Sequence, residues 1–74
     1  MKLKEAIKLA RKRDLVCGTH YICADANGSL YLYEIDRPES CYDSWSNISE
    51  YYPLGEKYTG NKDWTDAIIQ FEVE

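Results

Sequence analysis

Apolar residues first recur at helical spacing. Leu3, Ala6, Ile7 and Ala10 stand at i, i+3, i+4 and i+7, which places them on one stripe and predicts an α-helix from Leu3 to Arg13 that stops near Asp14 or Leu15. Lys and Arg gather toward its last turn, where cations complement the negative end of the helix dipole. The period then falls to two. Thr19-His20-Tyr21-Ile22-Cys23-Ala24 and Ser29-Leu30-Tyr31-Leu32-Tyr33-Glu34-Ile35 flank Asp25-Ala26-Asn27-Gly28, the pattern of a hairpin whose Asn27-Gly28 turn takes positive φ. In the second strand Leu30 and Leu32 point one way and Tyr31, Tyr33 and Ile35 the other. One of these faces is expected to pack on the helix.

Beyond Ile35 the pattern breaks into short aromatic pieces. Arg37-Pro38-Glu39-Ser40, residues 44–49 and Thr59-Gly60-Asn61-Lys62 carry turn chemistry between them. Trp45 and Tyr51-Tyr52 are assigned to a third strand and residues 54–58 to a fourth. Asp63 is a suitable N-cap for a helical turn from Trp64 to Ile68. Ile69, Phe71 and Val73 then alternate with Gln70, Glu72 and Glu74 as an extended tail. The predicted fold class is α+β, a single domain over residues 1–74. Its N-terminal helix packs on a small, mainly antiparallel sheet of three to four strands, and a short helical turn lies near the C-terminus.

A 74-residue chain has little core. Domains this small yield only about 3–5 kcal/mol from apolar burial, so many recruit disulfides, a metal or a partner. Three cysteines, Cys17, Cys23 and Cys41, and a charged start without a signal-like apolar run predict a reduced, cytoplasmic setting. No apolar run approaches the roughly 18 residues of a membrane span. Net charge is −4, but unevenly spread: six basic residues stand against one acidic through Arg13, and three basic against twelve acidic thereafter. An acidic balance disfavours nucleic acid as a partner, since that affinity comes from neutralised phosphates.

Candidate reactive groups fail on spacing. Cys17-x-x-His20-x-x-Cys23 with Cys41 has the ligand types of a zinc site, but on a strand His20 faces away from Cys17 and Cys23. Buried free thiols and a surface imidazole are the expected reading, and the same offsets argue against a Cys-His nucleophile. Glu34, Asp36, Glu39 and Asp43 lack the regular spacing of a calcium loop and are read as a solvated acidic rim. Glycines are scattered singly, so no phosphate loop is present. No catalytic residue, metal ligand or cofactor is assigned, and the chain is expected not to be an enzyme.

Aromatic residues are the unusual feature. Seven Tyr, two Trp and one Phe make 14% of the chain. Trp64, Phe71 and one tyrosine face of the hairpin belong in the core. The remainder, among Tyr31, Tyr33, Tyr42, Trp45, Tyr51, Tyr52 and Tyr58 and beside Glu34, is assigned to a binding surface, because Tyr and Trp offer contact area and hydrogen-bonding tips at low rotamer entropy. A protein partner is expected. The two-faced strand also predicts self-association into a homo-oligomer.

The order Lys4-Glu5-Ala6-Ile7, Ala24-Asp25-x-Asn27-Gly28-x-Leu30-Tyr31-x-Tyr33-Glu34, Trp45, Leu54-Gly55 and Asp63-Trp64-Thr65-Asp66 resembles small proteins of tailed phages and prophages. That resemblance implies a phage-encoded accessory or anti-defence factor acting on a host protein in the host cytoplasm. More distantly, the helix, sheet and terminal Asp-Trp are similar to the Thoeris anti-defence sponge proteins. Their likeness implies the alternative function, an oligomer that sequesters a nucleotide-type small molecule. This chain has Arg11-Lys12-Arg13-Asp14 where that family has a Gly-Lys-Lys stretch, so no ligand residue is carried over.

Overall fold

The computed structural model describes residues 1–46 and 51–74. Its first element is the expected helix, α1 (Leu3–Ala10), with Leu3, Ala6 and Ala10 buried and Ile7 half-buried. The backbone N–H of Lys2 donates to Glu5 Oε1 at 3.0 Å, satisfying a donor at the open end. The helix ends a turn earlier than its periodicity suggested. Past Ala10 the next stripe position is Asp14, which gives the helix nothing apolar to bury, and Arg11 is drawn sideways over the Phe71 ring at 5.2 Å while donating to Glu72 O.

Strands β1 (Gly18–Ala24) and β2 (Ser29–Glu34) form the expected hairpin. Its turn differs in detail. Gly28 N donates to Asp25 O at 2.8 Å, and only Gly28, at φ 87°, is left-handed. Asn27 instead accepts from Ser29 N through Oδ1 at 2.9 Å. A right-handed turn closed by one left-handed glycine matches the twist of the strands as well as the Asn-Gly turn would. Ribbon strands β3 (Glu39–Cys41) and β4 (Ser44–Ser46) follow, then β5 (Tyr51–Lys57), a 3-10 turn (Trp64–Asp66) capped by Asp63, and β6 (Ile68–Val73). The turn expected across residues 44–49 falls partly outside the described residues, and Ser44 to Ser46 form β4. The helical turn running into an extended tail is present.

Strands β5, β2, β1 and β6 make one antiparallel sheet in that order, and β3–β4 make a separate two-stranded ribbon, so the fold is α+β. Tyr51-Tyr52 and residues 54–57 are one strand rather than two, while Trp45 belongs to the ribbon. Pro53 and the left-handed Gly55, at φ 77°, lie on this edge strand, where a lost donor and a distorted ladder deter further pairing. Among the described residues no helix is long and apolar enough to cross a membrane.

The sheet is covered on both sides. Against α1 lie Ile22, Ala24, Leu30, Leu32, Leu54, Ala67 and Phe71, with Ala6 and Ala10 letting the helix approach closely. Against the ribbon lie Tyr21, Cys23 and Tyr33, covered by Trp45. The covered stretches of the central strands, residues 21–24 of β1 and 30–33 of β2, carry apolar or aromatic residues at every position, which accounts for much of the aromatic content. Leu30 and Leu32 face the helix, as the alternation requires, but Ile35 does not continue the Tyr31–Tyr33 row: β2 ends at Glu34, and Ile35 is left-handed (φ 67°) and exposed. His20, expected at the surface, is buried on the helix side against Phe71, because in β1 it shares its face with Ile22 and Ala24.

Candidate binding surface

A two-residue turn at Tyr42 and Asp43 makes Cys41 and Ser44 the hydrogen-bonded pair of the ribbon, so Trp45 in the next position turns its backbone N–H and C=O away from β3. Both find partners on the sheet. Asp25 Oδ1 accepts from Trp45 N at 3.1 Å, and the buried Tyr33 hydroxyl donates to Trp45 O at 2.7 Å. The indole Nε1 donates to Ala24 O at 2.8 Å and to Trp64 O at 3.2 Å, and the two Trp rings meet edge to face at 6.4 Å. Ala26 N adds a bond to Asp43 O. One residue of β4 therefore fixes the ribbon, with Pro38 buried at its base, while all of β3 stays exposed.

Burial sets the ionisation of this layer. Cys23 is pushed well above the usual thiol range, mainly by burial and then by the Asp25 charge, so it stays a neutral thiol. The Tyr33 phenol is likewise raised, first by burial and next by Asp25, and remains a donor. Asp25 itself is raised, chiefly by burial and further by Asp43, although the Trp45 N–H works in the opposite direction.

The eight residues assigned to a binding surface divide into three groups. Tyr33 and Trp45 are buried and hold the ribbon rather than face a partner. Tyr52 and Tyr58 lie on the helix side, Tyr52 by its register opposite Leu32 and Tyr58 by packing on the helix-side core. Glu34, in register with His20 and lining one hollow with Leu32 and Tyr52, also lies on the helix side, so Tyr31, Tyr42 and Tyr51 remain. Tyr51 stacks on Tyr33 at 5.5 Å and meets Tyr31 edge to face at 5.6 Å, yet keeps 57% of its surface exposed. Tyr42 at the ribbon tip is 96% exposed and left-handed, φ 57°. Glu39 and Asp43 are exposed on the ribbon, and Asp36 is exposed in the segment between β2 and β3. Asp25, which orients Trp45, went unnoticed in the sequence because Asp before a turn is ordinary turn chemistry.

The thiols are not uniformly buried as expected: Cys17 and Cys41 are exposed and only Cys23 is buried, all three free. Cys41 sits on the exposed β3, and Cys17 precedes β1 where no second layer covers it. His20 Nδ1 lies 3.2 Å from Gly18 O, and its Nε2 is buried without a hydrogen-bond partner. Among the described residues no three imidazole, thiol or carboxylate groups converge as a metal site would require. Comparison with protein-family models, curated proteins and solved structures gives no match.

Proposed function

We propose that this chain is a non-enzymatic binding protein that engages a basic protein surface through the tip of its β3–β4 ribbon and the tyrosines beside it. The observation that carries this reading is Tyr42. A tyrosine in a left-handed turn position, where glycine is preferred, costs on the order of 1–2 kcal/mol, and here its side chain gains no burial in return. Such a residue is explained if a partner buries it. Tyr51 supplies a second aromatic surface, and Glu39 and Asp43 on the ribbon supply the charge that attracts a basic partner. Given the resemblance to small phage proteins, the partner would be a protein of the host cell.

The test is affinity capture from bacterial lysate with the wild type and a Y42A/Y51A variant as paired baits. A protein retained by the wild type, released by added salt and absent from the variant supports the reading. Identical capture by both baits refutes it.

A further inference from the structure

On the opposite side of the molecule, a cavity of about 320 Å³ opens where the start of α1 meets the chain between β5 and the 3-10 turn. Leu3, Tyr58 and Ile69 form an apolar wall, Lys2, Lys4 and Lys62 surround it, and no acidic residue lines it. Among the described residues none of these three ammonium groups meets a carboxylate. The volume lies at the small end of the roughly 300–1,000 Å³ usual for small-molecule sites.

Two features indicate a built site rather than a chance crevice. Lys2 and Lys4 place positive charge at the positive end of the helix dipole, where acidic residues are preferred, and the single acid of that turn, Glu5, is occupied with Lys2 N. A local rule broken without structural gain marks a functional position. Tyr58 is also fixed in place: its hydroxyl accepts from Lys62 N at 3.2 Å, and a side-chain carbon on Gly60 would overlap its ring. The loop therefore needs glycine at 60 to keep this wall of the cavity.

We infer that the cavity binds a soluble amphiphilic anion, a small molecule with an apolar or aromatic body and a phosphate or carboxylate head. The body rests on Leu3, Tyr58 and Ile69, and the head is neutralised by Lys2, Lys4 and Lys62, which act on a phosphate as point charges. The bound anion also relieves the unfavourable charge at the start of α1.

Titration of the full chain with 1-naphthyl phosphate at low ionic strength, followed by amide NMR shifts, tests this. Shifts should centre on residues 2–4, 58–62 and 69, and 1-naphthol and inorganic phosphate should each bind roughly tenfold or more weakly. K4E and K62E should each lower affinity roughly three- to tenfold, and G60A should weaken binding by displacing Tyr58. K4E reverses a misplaced charge at the helix start, so its thermal midpoint should match or exceed that of the wild type, separating lost binding from lost fold. Y42A/Y51A should bind 1-naphthyl phosphate normally, which keeps this site independent of the protein-binding face. Shifts elsewhere, 1-naphthol binding as tightly as its phosphate, or unchanged affinity in both charge reversals would overturn the assignment. So would co-sedimentation with phosphatidylglycerol vesicles that K4E abolishes, since that assigns the lysines to a lipid surface.

Discussion

Replacing Tyr33 by Phe removes one oxygen and little else, so it isolates the bond that ties the ribbon to the sheet. The ring stays buried, but Trp45 O loses the one donor it has among the described residues of the sheet, at 2.7 Å, and its position in the ribbon gives it none from β3. A buried carbonyl left without a partner costs about 1–3 kcal/mol. With unfolding entropy near 2.1 cal/mol/K per residue, a chain of 74 residues loses about 6 °C of midpoint per kcal/mol. Y33F should therefore melt roughly 6–20 °C below the wild type, consuming a large part of the about 3–5 kcal/mol expected for so small a core. Thermal unfolding by far-ultraviolet circular dichroism measures this, and Y51F, whose ring is largely exposed, is the control that should stay within about 0.5 kcal/mol. If the loss is confined to the ribbon, Trp fluorescence and access to Cys23 should change at a lower temperature than the helix signal. Y33F melting together with Y51F, with Cys23 still protected, would refute the view that this hydroxyl fastens the ribbon.

Three further outcomes follow from the same layer. Native protein should react with a thiol reagent at Cys17 and Cys41 but not at Cys23 until it unfolds; three equally fast thiols would contradict the burial of Cys23. Asp25 has a raised folded pKa, so the folded state holds its proton more tightly, and its contribution is greatest below the usual carboxylate value and falls as pH rises through the raised one. D25N keeps the acceptor for Trp45 N without the charge, so its midpoint should exceed that of the wild type by a margin that widens from about pH 4 to about pH 7; a constant margin would count against burial as the cause. Y42G should raise stability by about 1 kcal/mol in denaturant unfolding by relieving the left-handed turn, while weakening capture of the partner.

Much of the fold was legible because its signals were local. The stripe Leu3-Ala6-Ile7-Ala10, the Asp25–Gly28 turn and the alternation of Leu30 and Leu32 with Tyr31 and Tyr33 each fix a structure within a few residues. The helix end was not, because the competing interaction, Arg11 over Phe71, spans almost the whole chain. Trp45 illustrates the same limit. Flanked by Ser44 and Ser46, it gives no local indication of burial, yet Ala24 and Trp64 accept from its indole while Asp25 and Tyr33 bond its backbone, from three other segments.

That convergence also explains why the aromatic residues were divisible only in three dimensions. In sequence, Tyr31, Tyr33, Tyr51 and Tyr52 are indistinguishable, each in an aromatic run on a strand. Register separates them: pairing of Tyr33 with Tyr51 and of Leu32 with Tyr52 sends adjacent tyrosines of β5 to opposite faces. The ribbon then buries Tyr33 and leaves Tyr51 exposed at its margin. The proposed contact face is thus the part of an aromatic layer that the ribbon leaves uncovered. Its most exposed member, Tyr42, sits in the turn that closes the cover itself, so the device that seals the core also presents the side chain proposed to meet a partner.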